Sequence, residues 1–193
     1  MTDLLALLRE ATRADHESME AVPALKRLMA PDLTVPEYAA VLLHVHAFHA
    51  AVEPAIAAAL HGHRALCLLD DSRLLALAED LSWFGMQPVH AGLAVPVLGS
   101  APAAIGALYV VEGSGLGGRI IARHVQASLG VMPGSGGSFY GGLSADAARE
   151  RWRAFCGVLD ELGGGPECGA VIAGAARATF RCLESWMRCV HGS

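Results

Sequence analysis

Charge is scarce in this sequence: Asp, Glu, Lys and Arg make up 17% of its 193 residues, and aromatic residues only 6%. The balance is mildly acidic, −5 with the nine histidines neutral, which argues against nucleic acid as a partner. Hydrophobic residues reach 53%, so disorder is excluded. No apolar run of roughly 18 residues goes without a polar or charged break, so no membrane-spanning helix is expected. The N-terminal stretch carries Asp3 and lacks the apolar core of a signal peptide, so no export is expected. The five cysteines are odd in number and form no CxxC pair. Cys182 and Cys189 would lie about 10.5 Å apart along a helix, too far for a disulfide. These thiols suit a cytoplasmic protein that keeps them reduced. The length suits one domain over residues 1–193.

What is present is helix after helix. Leu4, Leu5, Leu8, Ala11, Thr12 and Met19 recur at helical spacing over residues 2–21, with Thr2 or Asp3 as N-cap. A second helix spans 36–60, capped by Thr34, with Pro54 expected to bend or restart it. Further helices are expected over 72–84, over 102–129 with interruptions at glycines, over 144–162 from Ser144, and over 168–190. Gly163-Gly164-Gly165 and His191-Gly192 close the last two. Met132–Gly142 reads as a loop. No alternating strand pattern appears, so the class is all-α with six or seven helices.

Three places could carry chemistry. Gly113-Ser114-Gly115-Leu116-Gly117-Gly118 formally matches GxGxxG. A dinucleotide fold needs a βαβ unit and an acid about 20 residues on, but after Glu112 no acidic residue appears before Asp146. Two readings stay open: a loop between helices, or a helix lying over a flat ligand. Each glycine costs roughly 1 kcal/mol inside a helix. Four in six residues make sense where a Cβ would collide with something close to the backbone.

The second place is His16, with Glu20 one turn on, at the edge of the buried face. The carboxylate can accept a hydrogen bond from one imidazole nitrogen and leave the other for a metal. An ordinary half-buried ion pair has the same pattern. The third is His44-Val45-His46-Ala47-Phe48-His49. On a helix only His46 and His49 share a face, which falls short of a zinc site. These read as surface and core histidines. A di-iron carboxylate bundle needs Glu-x-x-His pairs, and no Glu here has His three residues later.

The run Ala107-Leu108-Tyr109-Val110-Val111-Glu112-Gly113-Ser114-Gly115-Leu116-Gly117-Gly118, followed by Ile120-Ile121-Ala122, resembles the distal-helix motif of bacterial heme oxygenases. Leu8-Arg9-Glu10-Ala11-Thr12-Arg13-Ala14-Asp15-His16, continuing through Glu20, looks like their proximal helix. Phe139-Tyr140-Gly141, Trp152-Arg153-Ala154-Phe155 and the helix around Phe180 are similar to the family's C-terminal half, so the resemblance spans nearly the whole chain. The branch that supplies biliverdin to bacteriophytochromes is the nearest in character.

The resemblance implies a fold in which heme lies between a proximal helix and a kinked distal helix. It implies His16 as axial iron ligand and Glu20 as its hydrogen-bonding partner. It implies Gly113, Gly117 and Gly118 as glycines under the porphyrin, with Tyr109 and Phe180 beside it. Ser114 stands where animal members carry an Asp that organises distal water. Arg9, Arg13, Arg149 and Arg153 match basic positions for the propionates, with Arg153 the better of the later pair. The implied reaction opens heme to biliverdin with release of CO and ferrous iron. It consumes O₂ and electrons from a donor such as ferredoxin or a flavin reductase. A heme-binding or heme-sensing protein of the same fold without turnover is the alternative. A helical thiamin-degrading enzyme would want a reactive cysteine near acidic groups, a context none of the five cysteines has.

Overall fold

In the computed structural model residues 3–70, 72–89, 92–162 and 165–190 are described. They form eight α-helices and one 3₁₀ turn: α1 Leu4–Glu20, α2 Pro23–Arg27, α3 Val35–Ala59, the turn Arg64–Leu68, α4 Ser72–Trp83, α5 Ala101–Leu129, α6 Ser138–Gly141, α7 Ala145–Glu161 and α8 Pro166–Met187. Among the described residues there is no strand, only isolated bridges from Met132 to Ser135 and Gly136. The sequence-expected helices all appear. Two short helices, α2 and α6, raise the number above the six or seven expected. Thr2, Gly163, Gly164 and the closing His191-Gly192 lie outside the described residues.

Local chemistry explains most boundaries. Asp3 caps α1 by accepting from the Ala6 amide at 3.0 Å. Thr34 and Glu37 form a reciprocal capping box at the start of α3. Ser144 caps α7, accepting from Ala147 N at 3.2 Å. Gly130 ends α5 in the left-handed region at φ 73°, where a side chain would strain the backbone.

Three expectations need correction. Pro54 does not restart α3, which runs unbroken to Ala59. Val52 and Ile56, both fully buried, hold the turns on either side of it in the core. The glycines do not interrupt α5, which stays helical through Gly113–Gly118. The Met132–Gly142 stretch is not all loop: Ser138–Gly141 forms α6 because the buried Asp80 carboxylate of α4 accepts from Ser138 N at 2.7 Å and Phe139 N at 2.8 Å. Burial pushes the Asp80 carboxyl up from its ordinary value against the pull of these amides.

By length and apolarity α3 could cross a membrane, which the run-length reading missed. Yet 61% of its most apolar window is buried inside the protein. Tyr38, Leu42, Phe48, Val52 and Ile56 lie in the core there, as in any central helix.

Helix α8 lies along both α1 and α5. With α1 it runs parallel: Leu4 and Leu7 face Gly169, and further along Asp15 meets Arg177 and Arg181. With α5 it runs antiparallel. Gly106 meets Ile172 and Ala176, while Cys182 reaches Ala94 just ahead of α5. Gly106 is a packing glycine. A Cβ there would overlap the Ile172 carbonyl oxygen and lie 3.0 Å from both Ala175 Cβ and Ala176 N.

Candidate functional site on helices α1, α5, α7 and α8

His16 sits near the end of α1 with its side chain 59% exposed. Its neighbours Thr12, Asp15 and Met19 are buried. Nδ1 faces Glu20 Oε1 at 3.6 Å. The buried Phe180 ring of α8 meets the imidazole edge-on, with centroids 5.8 Å apart and planes at 73°. The i, i+4 spacing seen in the sequence therefore does turn one nitrogen toward a carboxylate, and Nε2 is left open. The resemblance implies Phe180 as a pocket aromatic; the contact seen here is with the imidazole itself.

On α5, Gly113, Leu116, Gly117 and Ile120 fall on one face by helical spacing. A Cβ added at Gly117 would meet nothing within 4 Å, and one at Gly113 only Trp152 Cζ3 at 3.8 Å. Leu116 and Ile120 are large, apolar and 41% and 64% exposed. This face is open and apolar, with room above Gly117 for a group to approach the backbone. Tyr109 lies one turn before Gly113, half-buried against Trp152 and Phe155 of α7 at 5.9 and 6.1 Å. Gly118 departs from expectation. It is buried, and its Cβ position lies 3.3 Å from the Tyr140 ring, so it serves the packing of α5 on α6.

The four arginines separate. Arg13 pairs with Glu10 and Arg149 with Asp146, each with a carboxylate three residues back on its own exposed helix face. Arg153 is exposed beside Trp152. Arg9 is exposed on α1 and close enough to α7 to act on the Cys156 thiol. It lies about 10 Å along α1 from His16. Arg9 and Arg153 are thus the two of the four that have no carboxylate partner among the described ion pairs.

The sequence reading missed a buried ion network behind α5. Glu112, its side chain 2% exposed, accepts from Arg73 Nη2 at 2.5 Å and from Arg151 Nη2 at 3.2 Å. Arg151 also reaches Asp70 at 2.6 Å and the Leu68 carbonyl at 2.7 Å. Burial works against the charge on Arg151, but Glu112 and Asp70 outweigh it and raise its pKa. Arg73 stands 4.0 Å from Glu53, which binds His49 Nδ1 at 2.7 Å. His46 and His49 are buried as core histidines, as their spacing suggested, and His44 is half-buried. The His49–Glu53 pair was visible as an i, i+4 spacing. Its link to Glu112 was not, because Arg73 and Arg151 come from other helices.

A small cavity of about 60 Å³ opens onto this network, lined by Arg73, Glu112, Ser114, Arg119 and Tyr140 among others. It has room for one or two waters. Ser114 Oγ donates to Val111 O at 2.7 Å, so its lone pairs remain to accept from water.

Residues 2–189 match the model of the family described as Heme oxygenase. A heme oxygenase of Xanthomonas campestris pv. campestris is 42% identical over 89 residues, covering 46% of this chain and 51% of that protein. The match thus spans about half the length of that relative. The NO- and CO-bound heme oxygenase of Neisseria meningitidis superposes with a TM-score of 0.79 at 26% identity, over 97% of this chain and 92% of that one. Heme oxygenase-1 of the cyanobacterium Synechocystis sp. PCC6803, solved in complex with heme, gives 0.77 at 18% identity, over 99% and 93% of the two chains, a likeness of fold.

Proposed function

The chain belongs to the heme oxygenase family, and from that premise we propose that it binds heme and opens it oxidatively to biliverdin, with release of CO and ferrous iron. The observation that carries this reading is His16: an exposed imidazole with one nitrogen turned to Glu20, an aromatic edge on its ring and the other nitrogen free. The residues present fit a heme, since the Gly113–Gly117 face is an apolar surface that any Cβ would fill. Heme supplies both the iron that activates O₂ and the ring that is cut.

The protein's own part is physical. His16 would hold the iron through Nε2, and the Glu20 carboxylate facing Nδ1 would raise the basicity of the imidazole. Gly113 and Gly117, having no side chains, would let a flat ring approach the α5 backbone closely. Tyr109 and Phe180 supply apolar edges. Arg9 and Arg153 hold the propionates, as guanidinium forks suit carboxylates. Ser114 would accept from an ordered water in the small cavity that Arg73 and Glu112 also line. No imidazole or guanidinium lies between Gly113 and Gly118 to split the O–O bond as a peroxidase would.

Electrons come from an external donor such as ferredoxin or a flavin reductase, and a bacteriophytochrome is the receiver of biliverdin that the resemblance suggests. All five cysteines are free thiols, in keeping with a cytoplasmic setting. Hemin titration followed by reductant under air tests the proposal. A Soret band that then gives way to biliverdin absorption supports it, and a Soret band that never bleaches contradicts it.

A further inference from the structure

We infer that Asp15 is a positioning residue for His16: its carboxylate locks α8 onto α1, and the lock seats Phe180 edge-on against the imidazole so that the plane of the ring is fixed. This rests on the reading of His16 as iron ligand.

Asp15 lies on the buried side of α1, its side chain 9% exposed, where an unpaired carboxylate is costly. It is met by two donors from the same face of α8. Arg177 Nε donates to Oδ2 at 2.8 Å and Arg181 Nε to Oδ1 at 2.9 Å. Burial opposes the charge, but the two guanidiniums outweigh it and hold the carboxyl below its ordinary value. One oxygen per donor, from donors a turn apart, sets the register of the two helices. A slide of α8 along α1 would carry Asp15 toward one guanidinium and away from the other, so the two bonds are made together only near this register. One turn on, Ser18 Oγ donates to Glu184 at 2.7 Å, in line with the same register.

Phe180 falls between the two arginines in sequence, on the helix that this lock holds, and its ring is the one that meets His16. Glu20 faces Nδ1 at 3.6 Å, beyond hydrogen-bond range, and so leaves rotation of the imidazole about its Cβ–Cγ bond open. The second constraint is the Phe180 edge. The ligand plane is therefore set by one contact from its own helix and one from α8, and Asp15 governs the second.

The test compares Asp15→Asn, which keeps the shape of the side chain but loses one acceptor, with Phe180→Leu, which removes the ring. In the ligand-free protein, NMR reads the ring-current shifts of the His16 ring protons. Phe180→Leu defines the full shift, and Asp15→Asn should reach at least half of it. In the cyanide complex with hemin, both variants should change the spread of the four heme methyl shifts, which follows the imidazole plane. Arg181→Gln, altering a half-exposed side chain, should move the same signals in the same direction and serves if Asp15→Asn does not fold. Wild-type ring shifts and methyl spread in these variants, with only the melting temperature lowered, would reduce Asp15 to an ordinary packing ion pair and overturn the inference. If wild-type protein takes up no hemin, the heme reading itself fails, while the ligand-free shifts still decide whether Asp15 places Phe180 on His16.

Discussion

Two glycines on α5 should respond in opposite ways to the same kind of change. At Gly117 a new side chain meets nothing within 4 Å, and the position is helical, so Gly117→Leu removes a poor helix former at no packing cost. That gain is about 1 kcal/mol, or roughly 2–4 °C in melting temperature for a chain of this size. At Gly106 even a methyl group would collide with the α8 backbone at Ile172 and crowd Ala175 and Ala176. Gly106→Ala should therefore cost about 1–3 kcal/mol and lower the melting temperature by roughly 2–10 °C. Hemin binding reverses the order. Leucine at 117 fills the space assigned to the porphyrin, and a misfit of about 1.4 kcal/mol weakens hemin tenfold. Alanine at 106 leaves that face untouched, and the affinity of the folded protein should stay near wild type. Thermal melts of the ligand-free proteins and hemin titrations supply the four numbers. If Gly117→Leu binds hemin like wild type, the close-approach reading of this face is wrong.

Glu112→Gln leaves the partly buried Arg73 and Arg151 with less charge opposite them, and should cost about 2 kcal/mol in chemical denaturation, below the range for a fully buried pair because solvent reaches both arginines and Asp70 and Glu53 still pair with them. An unchanged midpoint would show the network to be irrelevant to stability. Arg153→Glu should weaken hemin about tenfold and change the ratio of biliverdin isomers while the His–iron spectrum stays the same, as titration and chromatography of the bilins will read. Hydrogen bonds from Arg27, then from Thr34, lower the Glu37 carboxyl from 4.5 to about 2. A carboxyl depressed in the folded state stabilises above its ordinary value, and this contribution is lost as pH falls from about 4.5 to about 2. Glu37→Gln should flatten the stability–pH curve in that window, and an unaltered acid limb would refute the assignment.

The parts of this fold that the sequence makes legible are those decided within a turn or two of helix. Asp3, Thr34 and Ser144 act on amides three residues away, and the His16–Glu20 pair needs only a helical repeat. The open face of α5 was legible because Gly113 and Gly117 stand out against helix propensity. Gly106 did not, since its reason lies in the α8 backbone, a different helix far along the chain. Gly118 looked like its neighbours, but 100° of rotation turns it toward Tyr140. Asp15 carries no local signal of its role, since its partners Arg177 and Arg181 lie more than 160 positions on. Glu112 and Arg151, like Asp80 and Ser138, were hidden for the same reason: tertiary packing chooses such partners, and no local pattern encodes them.

The most direct measurement sets wild type beside His16→Ala, each with equimolar hemin, an electron donor and air, and follows the visible spectrum. Wild type should show a Soret band of histidine-ligated heme that bleaches into biliverdin absorption. His16→Ala should show a shifted Soret band and little or no biliverdin. Equal spectra and equal turnover in the two proteins would contradict the assignment of His16 as iron ligand, and with it the reading of α1 as the proximal helix.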